Sequence, residues 1–142
     1  MVSTRFLLRF TVVWDLLMDV SALASCIPGC ERLEPIGENR YRAGVTVSLA
    51  AISGSFDGTV TLGDMQPPAS YTLAVDARGR TGFVHGTAAI TLEDLGARTV
   101  VAVQADMHVG GPVARVGQRL LGTVSKMMLE RFLACLADRL TA

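Results

Sequence analysis

The sequence predicts an α+β fold in which a curved antiparallel sheet wraps around one long C-terminal helix, with two short helices ahead of the sheet. Three observations carry this. From Glu31 to Val109 apolar and polar residues alternate, and turn residues recur about every ten positions, as in consecutive antiparallel strands. Gly110-Gly111-Pro112 closes the alternation, and the stretch after it, about thirty residues with no further proline, has helical periodicity. Before Glu31 the apolar residues are spaced three and four apart instead of two.

The spacing predicts a first helix over Val12 to Val20, with Val13, Leu16, Leu17 and Val20 on one side. Asp19 and Ser21 offer a new cap, "SALASCI" reads as a second short helix, and Pro28-Gly29 stops it. In the strands, Tyr41, Ala43, Val45, Val47 and Leu49 share one face; Phe56, Val60 and Leu62 share the next; then Tyr71, Leu73, Val75 and Ala77. Val84, Ala88, Ile90 and Leu92 follow, and after them Val101, Val103, Ala105, Met107 and Val109. Turns are expected at Gly37-Glu38-Asn39, Ser53-Gly54, "GDMQPPAS", Arg78-Gly79-Arg80 and Asp94-Leu95-Gly96. The opposite positions are Ser, Thr, Asp and Arg, so one side of the sheet faces a core and the other faces water.

From Pro112 a continuous helix is expected, with an inner stripe of Val113, Gly117, Leu120, Val124, Met127 and Met128. A second stripe, Leu129, Leu133, Leu136 and Leu140, falls on nearly the opposite side. It either covers Trp14, Leu16 and Leu17 of the short helices or forms an exposed patch for a partner or a membrane surface.

At 142 residues the chain has room for one core. Thirteen basic residues balance thirteen acidic ones, so no basic face for nucleic acid is indicated. Half of the residues are apolar and mean hydropathy is +0.41. No uncharged apolar run is long enough to span a bilayer. Arg9 and Asp15 interrupt the apolar N-terminal stretch, which argues against a signal peptide and for the cytoplasm, where thiols stay reduced.

No catalytic or metal motif is present. Cys26 and Cys30 lack the two-residue spacing of redox pairs and zinc knuckles, Cys135 is the third cysteine, and the two histidines are His85 and His108. A disulfide between Cys26 and Cys30 is geometrically possible but disfavoured in a reducing compartment, so the two are expected as small apolar side chains packing around a tight turn. His85 and His108 alternate with polar neighbours and are expected on the outer face. Asp57, Asp64, Asp76 and Asp106 are scattered over turns and the polar face, with no convergent pair. Met107, Met127 and Met128 read either as core filler or as the wall of an adaptable apolar cavity. Small inner residues (Ala43, Ala77, Ala88, Ala105, Gly117) would leave such a cavity room.

These residues resemble the carbon monoxide dehydrogenase G-subunit family. The likeness is carried by "VWDLLMDVSALASCIPGCERLEPIGENRYRAGVTV", "GSFDGTVTLGDMQPPASYTL", "GFVHGTAAITLED" and "VQADMHVGGPVARVGQRLLGTVSKMM", and it extends over roughly residues 13–137. The resemblance implies a single START-like, helix-grip domain over residues 1–142, with a curved sheet of six to seven strands closing on the long helix around an apolar cavity. It also implies a non-catalytic accessory protein of a molybdenum hydroxylase, one that carries a quinone or lipid and links the enzyme to the inner face of the membrane. The cavity wall is expected at Val47, Phe56, Val60, Leu73, Val103, Met107, Leu120, Val124 and Met127. No cofactor or metal is implied.

Two departures from the family pattern bear on this. "MVSTRFLLRFT" is short and lacks proline, so the first strand is expected to be truncated or altered, exposing a neighbouring strand edge that a second copy could pair with. The sequence ends at Ala142, so attachment through a membrane-anchoring tail of its own is not expected. Two other functions stand beside the carrier: an assembly or recruitment scaffold with no cavity ligand, and a START-like enzyme. The enzyme would need inward acid/base groups, and Tyr41 and Tyr71 are the only titratable candidates on the inner face.

Overall fold

The computed structural model describes residues 2–6, 9–49 and 52–141. Seven strands form one antiparallel sheet: β1 (Val2–Phe6), β2 (Cys30–Gly37), β3 (Arg40–Leu49), β4 (Ile52–Gln66), β5 (Ser70–Gly79), β6 (Gly82–Asp94) and β7 (Thr99–Gly110). Their order is β1-β7-β6-β5-β4-β3-β2, so every neighbour except β1–β7 is a hairpin partner. Two short helices, α1 (Phe10–Leu17) and α2 (Val20–Cys26), connect β1 to β2, and α3 (Gln118–Thr141) ends the chain. This is the expected helix-grip fold, with seven strands.

The first helix begins and ends earlier than the periodicity alone indicates. The break comes at Asp19, whose carboxylate accepts from the backbone N–H groups of Ser21 and Ala22 at 3.0 and 3.2 Å and so caps α2. The turn expected at Ser53-Gly54 also moves. Leu49 pairs with Ile52, so the reversal lies between them, and Ser53 and Gly54 sit within β4 opposite Ser48 and Val47. The side chains of Leu49 and Leu140 lie outside the described residues.

β1 is present but short. It pairs Val2–Phe6 with Thr99–Val103, and beyond Val103 the described residues give β7 no neighbour on that side. At Gly58 of β4 an added Cβ would stand 2.0 Å from the Asp76 carbonyl oxygen and 2.4 Å from the Ala77 Cα. Only glycine lets the two strands approach this closely on the concave side.

The largest correction concerns the long helix. It does not run unbroken from Pro112. Pro112–Val116 form a 3₁₀ turn, Gly117 takes φ 93°, and α3 starts afresh at Gln118. Each residue turns an α-helix by about 100°, so the buried positions need not continue a phase counted from Pro112. Leu121 and Val124 are buried near its start, and Leu133 and Leu136, 1% and 0% exposed, are buried near its end. The two stripes read from the sequence are the flanks of one broad apolar face. Its middle runs through Leu121, Ser125, Met128 and Phe132.

Packing is concentrated at two places. Val13, Trp14, Leu17, Ala22 and Cys26 of the short helices pack with Tyr71, Ile90 and Val101 of the sheet and with Leu133 and Leu136 of α3. A smaller cluster joins Val113 of the 3₁₀ turn to Leu121 and Val124. The late leucines are thus spent on covering the short helices, and the exposed-patch alternative for Leu133 and Leu136 does not hold.

The cysteines also differ from expectation. Cys26 and Cys135 form a disulfide, with Cα atoms 5.4 Å apart across 109 residues of sequence, and Cys30 remains free. The bridge joins the last residue of α2 to the second half of α3. Beside it the Arg139 guanidinium donates to the Ser25 hydroxyl at 2.6 Å.

Candidate functional site

Between the two packed clusters the sheet and α3 do not interdigitate, and a cavity of about 480 Å³ remains. The sheet supplies Val45 and Val47 from β3, Phe56 and Val60 from β4, Leu73 and Val75 from β5, and Val101, Val103 and Met107 from β7. The helix supplies Leu121, Val124, Ser125, Met128 and Phe132, and α1 and α2 close one end with Leu17 and Leu23. The register explains why these side chains converge. Val60 pairs with Val75 and with Tyr41, and directly opposed residues of antiparallel strands point to the same face. Small side chains at Ala43, Gly58 and Ala77 leave that face hollow.

Seven of the nine expected wall residues line the cavity: Val47, Phe56, Val60, Leu73, Val103, Met107 and Val124. Leu120 and Met127 do not. They lie on the flank of α3, displaced by the restart of the helix at Gln118, and Leu120 packs with the Val113 cluster instead. On α3 the lining residues absent from both expected stripes are Leu121, Ser125 and Phe132. The signal was in the sequence, because Leu121, Met128 and Phe132 recur at helical spacing, but counting from Pro112 hid it.

The lining is almost wholly apolar. Its polar groups are the hydroxyls of Thr59, Ser125, Tyr41 and Tyr71. Burial pushes the Tyr71 phenol far above its ordinary value, because the low-dielectric surroundings penalise the phenolate. It therefore stays protonated and can offer a hydrogen bond but no base. Met107 both lines the cavity and is 36% exposed, and the cavity is not fully enclosed.

The histidines lie elsewhere. His85 and His108 are opposed across β6 and β7 on the outer face, ring centroids 5.3 Å apart, with Phe83 stacked on His85. The sheet separates them from the cavity. Among the described residues no group of three or more His, Cys, Asp or Glu side chains is arranged to hold a metal ion. Likewise, no helix among them is long and apolar enough to cross a membrane.

Comparison with solved structures places the fold. A conserved protein from Geobacillus kaustophilus is 35% identical, with a TM-score of 0.94 over 98% of this chain and 92% of that one. An aromatase/cyclase from Streptomyces matches at 15% identity and TM-score 0.73, covering 97% of this chain and 90% of that one. A START superfamily protein from Mycobacterium smegmatis matches at 14% identity and TM-score 0.74, covering 97% and 93%. At those identities the last two show the shared fold alone. Comparison with curated proteins finds no match. The model of the carbon monoxide dehydrogenase G-subunit (CoxG) family matches residues 9–141, and the chain belongs to that family.

Proposed function

We propose that this chain is a non-catalytic accessory protein of a molybdenum hydroxylase of the carbon monoxide dehydrogenase type, holding a hydrophobic ligand, a quinone or a lipid, in its cavity and linking the enzyme to the membrane. The observation that carries the reading is the cavity: about 480 Å³, apolar, and not fully enclosed. Its size is that of a typical ligand pocket. Counting about 30 Å³ per water-sized group, it accommodates on the order of sixteen such groups. That suits one acyl chain or a quinone ring with the first part of its tail. A longer polyprenyl tail would have to leave through the mouth, which is where a membrane could receive it.

Burying about 400 Å² of ligand surface would contribute on the order of 10 kcal/mol before ordering costs. Against catalysis stands the character of the wall, whose titratable groups are two tyrosines, one of them held firmly protonated. The scaffold reading loses the leucine patch it relied on, since Leu133 and Leu136 are buried.

Native mass spectrometry of gently purified protein tests the carrier. The expected result is a hydrophobic mass that leaves on denaturation and is replaced by added quinone or fatty acid. Protein that is empty and refuses both would defeat the proposal.

A further inference from the structure

We propose that Cys26, Cys30 and Cys135 form a thiol–disulfide exchange site that controls how firmly α3 closes the cavity; the control over the cavity rests on the carrier reading, the exchange itself does not. Cys26 ends α2 and is bridged to Cys135 of α3. The next three residues turn back on themselves, with the Cys30 N–H donating to the Ile27 carbonyl at 3.1 Å. That turn brings the Cys30 backbone to Ile27, the residue after Cys26, and its free thiol, half-buried, donates to the Arg32 carbonyl at 3.4 Å. The bridge therefore has a free thiol four residues along the chain from Cys26, across a tight turn. Cys135, at the other end of the bridge, is half-buried.

The step balances without an added oxidant or reductant. The Cys30 thiol gives up its proton to solvent, and its sulfur attacks the Cys26 sulfur. The Cys26–Cys135 bond breaks as the Cys30–Cys26 bond forms, and Cys135 leaves as thiolate and takes a proton back. A covalent tie spanning 109 residues is replaced by one spanning the Pro28-Gly29 turn. The tie joins two parts of the cavity's surroundings. Leu23 precedes Cys26 on α2, Leu129, Phe132 and Leu133 precede Cys135 on α3, and all four line the hollow. With the bridge moved, α3 is held to α2 by side-chain packing and the Arg139–Ser25 hydrogen bond.

The test uses the whole chain, with thiols trapped by alkylation and bridges mapped by mass spectrometry before and after incubation with substoichiometric glutathione. The expected course is Cys26–Cys135 with alkylated Cys30 at the start, and Cys26–Cys30 with alkylated Cys135 later. Cys135 release should be about tenfold slower in Cys30→Ser, which keeps the original bridge. A fluorescent fatty-acid analogue loaded into the protein should dissociate about tenfold faster from the exchanged form, a coupling of ordinary size. Equal Cys135 release in both proteins, or a bridge that never moves, overturns the exchange site. Exchange without any change in analogue dissociation overturns its control of the cavity. Failure of the analogue to bind any form overturns the carrier reading, and the bridge mapping then judges the exchange site by itself.

Discussion

Trp14 of α1 meets Tyr71 of β5 edge to face, with ring centroids 5.3 Å apart and planes at 90°. Both rings are buried, and the contact fixes the first helix against the concave sheet face beside the cavity. Such pairs contribute about 0.5–1.5 kcal/mol beyond the area they bury. Trp14→Ala removes both terms and should cost about 3–5 kcal/mol. Trp14 is the chain's single tryptophan, so circular dichroism must follow the urea transition; the midpoint should fall with little change in slope.

The pH dependence follows from Tyr71. Its folded-state pKa is raised by burial, so the native state keeps a proton that the unfolded chain loses above about pH 10. Stability on this account is intact below about pH 10 and declines above it by about 1.4 kcal/mol per pH unit. Tyr71→Phe should flatten that decline. An unchanged alkaline slope in the variant would show that Tyr71 is not its source.

Filling the hollow separates binding from folding. Val60 points into the cavity from the middle of β4 and is half-buried, so a larger side chain has space to occupy. Val60→Trp should abolish uptake of a fluorescent fatty-acid analogue while moving stability by about 1–3 kcal/mol at most. Uptake equal to the parent would place the ligand elsewhere.

Leu133 behaves oppositely. It is 1% exposed beneath the short helices, so Leu133→Ala should cost about 2–5 kcal/mol. Leu133→Asp, which buries a carboxylate among apolar side chains, should abolish the cooperative thermal transition. A folded Leu133→Asp protein would mean that this part of α3 is more open than its packing indicates.

Cys135→Ser removes a cross-link spanning 109 residues. On the chain-entropy view, closing a loop of that order stabilises by about 4–5 kcal/mol. The thermal midpoint of the variant, like that of the parent fully reduced with dithiothreitol, should lie well below the oxidised parent.

The strands were legible because period-two alternation survives even where the face is only partly filled, as at Val45, Val60 and Val75. The cap at Asp19 was legible because a short acceptor side chain before "VSALASC" has one local use. What failed were features decided at a distance. The Cys26–Cys135 pairing depends on α3 passing over α2, which no local spacing encodes. The misplacement of Leu120 and Met127 came from a local cause that looked harmless: a glycine taking φ 93° ends one turn and lets the next helix choose its own angular phase. A proline would have announced that break, whereas Gly117 inside an apolar, basic stretch reads as helix with a weak point.

The two packed clusters also bear on how the family can diversify. Chain integrity is vested in the knot around Leu133, Leu136 and Val13 and in the smaller one at Val113, while Val45, Leu73 and Val75 between them fill little of the space they face. Exchanges among Val, Ala and Leu along that stretch can reshape the hollow without loosening either knot, so relatives with one skeleton can differ in the size and outline of the space they enclose.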